Sequence, residues 1–242
     1  MTKRIVRTVT VTGADDSIRP EELFLIAERY PFAEFGILLS RNHGGNRRFP
    51  SRIWLEELFA LWKEDQQLTL SAHICGQWVR ELCTGNPSFF QEFMDISDMF
   101  SRFQLNFHAE KHSLDIKELS FILKHALMNR PVILQMDGEN ERVFYALKTV
   151  KGITPLPLFD KSSGAGIVPN EWPVQIPNQY CGYAGGLSPD NLADEMEKIS
   201  AVTHDHIWID AETLLRSNND SRFDLTKVTE FLKIAEPWVT ST

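Results

Sequence analysis

Short apolar segments alternate with longer helix-period segments along nearly the whole chain, and this alternation constrains the fold more than any other feature. Eight of the apolar segments are predicted to be strands, since they are short and bounded by turn-forming residues. They comprise residues 8–12, 35–40, 68–74, 103–107, 131–136, 154–159, 180–184 and 206–209. A parallel pair of strands needs a crossover of about a dozen residues or more, usually a helix. The sequence therefore predicts the α/β class.

Helix-period segments follow seven of these strands, and a long loop follows the sixth. The predicted helices comprise residues 20–27, 54–63, 77–82, 116–127, 139–148, 189–199 and 225–234. Eight strand-then-helix units of about 30 residues would account for the 242 residues, close to the ~250 of a typical (β/α)8 barrel. An open doubly wound sheet would favour a glycine-rich turn after an early strand, where this chain has only Gly13. We therefore predict a single (β/α)8 TIM barrel domain spanning residues 1–242.

The balance of charged residues excludes broad binding to polyanions. The chain has 25 Lys and Arg residues against 33 Asp and Glu residues, which gives a net charge of −8. Nucleic acids and anionic membranes bind clustered positive charge, so we expect neither as a partner. No apolar run approaches the ~20 residues of a membrane span, and no apolar signal segment follows the basic N-terminus. We expect a cytoplasmic protein, either a monomer or a homodimer.

Cysteine and histidine spacing gives no indication of a metal site. Cys75, Cys83 and Cys181 are odd in number and form no CxxC pair, which disfavours a disulfide scaffold or structural zinc and suits a reducing compartment. His204 and His206 are closely spaced, but they fit a solvated loop before the eighth strand better than a zinc site. We expect no metal and no cofactor.

Glycine-containing loops follow the sixth and seventh predicted strands, where (β/α)8 barrels often build a phosphate site. Gly164 and Gly166 would let backbone amides approach an anion closely. Gly185 and Gly186 lead to Ser188, a predicted helix cap, and a helix N-terminus reached through glycines suits a phosphate group. One such loop alone would favour a flexible surface loop, whereas two after consecutive strands predict a small phosphorylated ligand.

The run of residues 184–192, Ala-Gly-Gly-Leu-Ser-Pro-Asp-Asn-Leu, resembles the strand-seven signature of the phosphoribosylanthranilate isomerase family, a (β/α)8 barrel of tryptophan biosynthesis. The resemblance continues in the same order over nearly the whole chain. It includes residues 10–13, 47–49, 104–106, 158–160, 164–166, 172, 209–210 and 223–224. It implies an Amadori rearrangement of an N-aryl ribosylamine phosphate, in which an acid opens the furanose and a cysteine base takes the C2 proton.

The resemblance also implies roles for individual residues. It places the acid on Asp160, which from its position alone could equally cap a loop. It places a contact with the anthranilate carboxylate on Arg48, since arginine binds carboxylates bidentately, although this basic segment could also be a charged surface loop. The other implied substrate and phosphate contacts are Gly164, Gly166, Gly185, Gly186, Asp210 and Thr213.

The chain departs from the family pattern at the base and in one phosphate loop. Thr12 occupies the place of the cysteine, and a threonine hydroxyl accepts no proton near neutral pH without an activating base. Glu212 stands where the family has a Ser-Ser-Gly phosphate contact. His73, Cys75 and His108 lie on or near strand ends and could supply another base. Each could also be an ordinary interior or loop residue.

Three functions therefore stay open at this point. The chain could be an Amadori-type aldose–ketose isomerase with a changed base. It could instead be a divergent enzyme that acts on another phosphorylated ligand. It could also be a non-catalytic barrel that binds such a ligand, because fold does not determine function.

Overall fold

A computed structural model describes residues 3–109, 114–160 and 166–240. Within them, eight strands close into a barrel in which each strand pairs with the next in the chain and the last pairs with the first, all in parallel. This confirms the predicted TIM barrel. The strands are β1 (Val6–Thr12), β2 (Ala33–Ser40), β3 (Thr69–Cys75), β4 (Phe100–Leu105), β5 (Val132–Gln135), β6 (Pro155–Asp160), β7 (Cys181–Ala184) and β8 (Ile207–Ala211).

Helices surround the barrel and bury their apolar faces against it. A short antiparallel hairpin of β9 (Arg216–Ser217) and β10 (Arg222–Phe223) precedes the last helix. The helices are α1 (Glu21–Arg29), α2 (Arg52–Glu64), α3 (Gln77–Cys83), α4 (Ser88–Glu92), α5 (Ile116–Ala126), α6 (Asn140–Lys148), α7 (Leu192–Ala201) and α8 (Leu225–Ala235).

The sixth connection differs from the strand-then-helix pattern, since residues 166–180 contain no helix. Pro169, Pro173 and Pro177 recur every four residues there, and proline removes the backbone donor and clashes with the preceding turn of a helix. Trp172 from this segment is buried instead, with its ring 5.9 Å from that of Tyr183. An aromatic side chain thus covers the barrel where the other connections use a helix.

The start of α7 also differs from the prediction. Ser188 does not cap a helix beginning at Pro189, because α7 begins three residues later, at Leu192. The Asn191 side chain accepts a hydrogen bond from Ser188 N (2.9 Å) and donates one to Gly186 O (2.8 Å). These two bonds hold residues 188–191 in a turn that precedes the helix.

The barrel interior contains a buried ion pair well below the strand C-termini. Arg102 Nε lies 2.8 Å from Glu34 Oε2 and Arg102 Nη2 lies 2.6 Å from Glu34 Oε1, while Thr10 donates to Oε1 at 3.0 Å. Burial opposes ionisation of Glu34, but Arg102 outweighs it and holds the pKa of Glu34 below its usual value. Ser71 and His73 lie beside this pair, and we call these five residues the lower polar layer.

Candidate functional site

A cavity of about 310 Å³ opens at the C-terminal ends of the barrel strands. Active sites of (β/α)8 enzymes lie at this end, because the loops that follow the strands converge there. Most of the polar side chains predicted from the sequence to act at a site contribute to its wall. The polar lining side chains are Arg48, Cys75, Gln104, Asn106, His108, Gln135, Asp160, Asp210, Glu212 and Thr213.

Asp160 is the last residue of β6, and its carboxyl group lines the cavity. Gln135, the last residue of β5, donates a hydrogen bond from Nε2 to Asp160 Oδ2 at 3.1 Å. Strand register places Asp160 opposite Ala184 on β7, and Ala184 opposite Asp210 on β8. The small alanine therefore leaves space between two carboxyl groups at the same level of the barrel.

Thr12 does not face the cavity as a free hydroxyl. Its Oγ1 donates a hydrogen bond to Asp210 Oδ1 at 2.8 Å, and both side chains are buried. Burial raises the pKa of Asp210 to about 8, and repulsion from Glu212 and Glu34 opposes its ionisation further. Asp210 is therefore a protonated acid at neutral pH and can donate a hydrogen bond or a proton into the cavity.

His73 belongs to the lower polar layer and not to the cavity wall. Its Nε2 lies 3.2 Å from Ser71 Oγ, and burial lowers its pKa to about 4. Gly36 on β2 makes room for it, because a Cβ atom there would lie 2.9 Å from His73 Nε2 and 2.1 Å from Thr12 Oγ1. The imidazole is a neutral interior group.

Cys75 lines the cavity at the end of β3, as a neutral thiol. Burial raises its pKa to about 12, so almost no thiolate is present near neutral pH. Asn106 Nδ2 donates to its sulfur at 3.2 Å, and Gln104 Nε2 donates to Asn106 Oδ1 at 2.7 Å. The β3–β4 side of the cavity is thus a chain of uncharged hydrogen-bonding groups.

His108 follows β4 and lines the cavity beside Asp137, which follows β5. Its Nδ1 lies 2.7 Å from Asp137 Oδ2, and both side chains are about a quarter to a third exposed, at 31% and 25%. Sequence reasoning identified His108 but missed Asp137. The available signal was an acidic residue just after β5, because β5 neighbours β4, the strand that precedes His108.

Arg48 reaches the cavity wall, where it has carboxylate partners within the protein. Its Nη1 lies 2.7 Å from Glu212 Oε1 and its Nε lies 2.7 Å from Asp220 Oδ2. Nη1 also donates to Thr213 Oγ1 at 3.2 Å. Desolvation raises the pKa of Glu212, although Arg48 opposes that rise. An incoming carboxylate would have to share or displace these contacts.

A buried arginine behind the cavity links the loops that carry Arg48 and Glu212. Arg216 Nη2 lies 2.7 Å from Asp15 Oδ2 and Arg216 Nε lies 2.8 Å from Asp220 Oδ1. Asp15 Oδ2 also accepts a hydrogen bond from Arg48 N at 2.7 Å. The loops after β1, β2 and β8 therefore form one hydrogen-bonded wall.

The two predicted glycine loops meet the strand-eight loop at one side of the cavity. A Cβ atom on Gly186 would lie 2.3 Å from Val168 N, so only glycine allows this close approach of the two backbones. A Cβ atom on Gly166 would lie 3.4 Å from Thr213 Cβ. Gly185 and Gly186 both line the cavity. The predicted contact at Gly164 lies outside the described residues.

The described residues contain neither a cluster of metal ligands nor a helix that could cross a membrane. Across residues 3–109, 114–160 and 166–240, no group of three or more His, Cys, Asp or Glu side chains is arranged to hold a metal ion. Over the same ranges, no helix combines the length and the apolar character that crossing a membrane requires.

No protein family model matches the chain, and no curated protein matches it in sequence. Solved structures do match. Phosphoribosylanthranilate isomerase from Thermotoga maritima is 15% identical, with 95% of this chain and 98% of that chain covered and a TM-score of 0.57. The isomerase from Pyrococcus furiosus is also 15% identical, with the same coverage and a TM-score of 0.56.

A barrel enzyme of another class is almost as similar. DAHP synthase from Thermotoga maritima is 13% identical, with 95% of this chain and 70% of that chain covered and a TM-score of 0.55. The similarity is one of fold. Because an isomerase and an aldolase match this chain about equally well, only the residues of the cavity can decide between reactions.

Proposed function

We propose that the protein is an aldose–ketose isomerase of the phosphoribosylanthranilate isomerase type, which acts on a small phosphorylated sugar derivative in the cavity. The observation that supports this most strongly is the placement of Asp160. Its carboxyl group lines the same cavity as Gly185, Gly186 and Thr213. A proton donor and a candidate phosphate site therefore border one space of about 310 Å³.

The proposed reaction begins with ring opening. Asp160 gives its proton to the furanose ring oxygen while the bond between C1 and that oxygen breaks, which leaves a protonated imine at C1. A base then removes the C2 proton, the C–H electrons form the C1–C2 double bond, and the imine nitrogen takes up the displaced pair. The resulting enol tautomerises to the ketose. The rearrangement is internal and consumes no second reactant.

The acidic lining is compatible with a phosphate group. Glu212 would repel a phosphate by itself, but Arg48 lies 2.7 Å from it and compensates its charge. Asp210 is uncharged at neutral pH because burial raises its pKa to about 8. The phosphate would be bound mainly by backbone amides at Gly185 and Gly186, which is how glycine turns bind anions.

The test is binding and turnover with a matched pair of variants. The wild-type protein should convert N-(5-phosphoribosyl)anthranilate to its ketose, and Asp160→Asn should lower kcat by about 10²–10⁴-fold, the usual contribution of a general acid. Asp194→Asn is the control, since Asp194 is exposed on α7. Wild-type protein without turnover of this substrate would contradict the isomerase proposal.

A second candidate is a barrel that binds a different phosphorylated ligand. Three contacts favour it: the bonds from Arg48 to Glu212 and to Asp220, and the bond from Thr12 to Asp210. A thermal-shift series with sugar phosphates separates the two candidates, because a ligand at ~100 Kd stabilises by about 2.7 kcal/mol. A shift with another sugar phosphate alone would favour this candidate, and no shift at all would contradict both.

A further inference from the structure

His108 occupies the position that a catalytic base in this cavity would need. It lies just after β4, and Asp137 lies just after β5, the neighbouring strand. Its ring lines the cavity that Asp160 also lines. The 2.7 Å separation between His108 Nδ1 and Asp137 Oδ2 corresponds to a strong hydrogen bond.

The backbone on both sides of His108 is held by one buried side chain. Asn140, at the start of α6, is fully buried. Its Nδ2 donates to Phe107 O at 2.7 Å, and its Oδ1 accepts from Ala109 N at 2.7 Å. Asn140 therefore fixes the peptides before and after His108, while Asp137 fixes the ring. A group held in this way is preorganised for reaction.

The partner also determines the tautomer of the imidazole. A carboxylate only accepts, so His108 Nδ1 carries the shared proton and Nε2 keeps its lone pair. Nε2 makes no hydrogen bond with the part of the chain that the structure describes. Asp137 Oδ1 also has no hydrogen-bond partner among those residues, and it is buried. The carboxylate charge is thus available to stabilise an imidazolium ion, as in other His–Asp pairs.

Thr12, which occupies the place of the family's base, and the two other candidates from the sequence, His73 and Cys75, are less suitable. The Thr12 hydroxyl donates a hydrogen bond to Asp210. His73 is enclosed in the lower polar layer and does not line the cavity. Cys75 lines the cavity, but burial keeps its thiol protonated. Of these four groups, only His108 combines access to the cavity with a lone pair that makes no hydrogen bond to a described residue.

We propose that His108, oriented by Asp137, is the base that removes the C2 proton in the proposed isomerisation. This inference rests on the proposed function. His108 Nε2 takes the C2 proton from the protonated imine, and the C–H electron pair forms the C1–C2 double bond while the imine nitrogen becomes a neutral amine. The resulting imidazolium is stabilised by Asp137 and later returns its proton to solvent, from which Asp160 is reprotonated.

The test separates proton removal from binding. Tritium release from N-(5-phosphoribosyl)anthranilate labelled at C2 measures the proton-removal step, and a thermal shift with the ketose product measures binding. His108→Asn keeps a donor toward Asp137 but removes the Nε2 lone pair. This variant should lower the rate of tritium release by about 10²–10⁴-fold. Its thermal shift with the ketose should stay within a factor of about two of the wild-type shift. His125→Asn, on the outer helix α5, is the control.

A second variant tests the orienting carboxylate. Asp137→Asn can donate to His108 Nδ1, which moves the ring proton to Nε2 and removes the lone pair without removing the histidine. Tritium release should fall nearly as far as in His108→Asn, and the double variant should be no slower than either single one, since the two residues act as a unit.

The failures of this inference and of the proposed function are distinguishable. His108→Asn that releases tritium at the wild-type rate would overturn the role of the dyad and leave the isomerase standing. Wild-type protein that binds no ketose, or binds it but releases no tritium from the labelled substrate, would overturn the isomerase and the dyad together.

Discussion

The lower polar layer and the cavity above it are two polar regions of one barrel interior, and they differ in how their charges are compensated. In the lower polar layer, Glu34 and Arg102 neutralise each other through two short hydrogen bonds. In the cavity, Glu212 lies 2.7 Å from Arg48, whereas burial keeps the carboxyl group of Asp210 uncharged at neutral pH. The comparison teaches that polarity alone does not indicate a site. One region neutralises its charges with an ion pair, and the other combines an ion pair with a carboxyl group that burial keeps protonated.

The largest expected effect comes from breaking the lower layer. Arg102→Met leaves the Glu34 carboxylate buried without its partner and should lower the free energy of unfolding by about 3–5 kcal/mol. Urea denaturation measures this change. Arg142→Met is the control, because Arg142 is exposed on α6 and pairs only with exposed Glu139.

A double variant sharpens the interpretation of that loss. Adding Glu34→Gln to Arg102→Met removes the unpaired charge and should restore more than half of the lost stability. If the double variant were as unstable as Arg102→Met, packing of the arginine over Trp208, 4.6 Å from the ring centroid, would explain the loss better than charge.

The next effect is acid sensitivity of the same layer. The pKa of His73 is lowered from 6.5 to about 4 by burial, so the folded state binds a proton there less readily than the unfolded state. Stability from this group is present above pH 6.5 and is lost as pH falls toward 4. Between these limits, wild type should lose about 2–3 kcal/mol more than His73→Gln in urea denaturation. Parallel pH profiles of the two proteins would contradict this prediction.

The last effect has the opposite sign and belongs to the cavity. The pKa of Asp210 is raised from 3.8 to about 8, so stability from this group is present below pH 3.8 and is lost as pH rises toward 8. Asp210→Asn keeps an acceptor for Thr12 and cannot ionise. It should gain stability on wild type by about 1.4 kcal/mol for each pH unit between pH 4 and 8. Thermal unfolding of both proteins at pH 4 and at pH 8 measures the gain. If Asp210→Asn gained nothing on wild type, Asp210 would be an ordinary ionised carboxylate.

The barrel was predictable because short, largely buried strands alternate with helix-period segments along nearly the whole chain. The long loop after the sixth strand was expected from the sequence, but the burial of Trp172 within it was not, since no period reveals that position. The start of α7 was misplaced because the side chain of Asn191, and not that of Ser188, organises the turn before it. The sequence near Ser188 does not show which of these two side chains would form the hydrogen bonds of the turn.

The site was only partly predictable, for reasons of distance along the chain. Asp160 and the glycine loops follow strand ends, which sequence reveals directly. The bond from Thr12 to Asp210 spans 198 positions and exists because β1 closes against β8. The pairing of Arg48 with Asp220 depends in the same way on two loops that meet only in the folded barrel.

The proline-containing connection between β6 and β7 has a consequence for the unfolded chain. Ordering an irregular segment costs about 1–2 kcal/mol per residue in backbone entropy, and no helical hydrogen bonds offset that cost in residues 166–180. Pro169, Pro173 and Pro177 reduce the number of conformations available before folding, so less entropy is lost when the segment packs. The proline rings thus restrict the backbone of this segment, which has no helix. In the folded barrel its backbone at Val168 lies directly against Gly186.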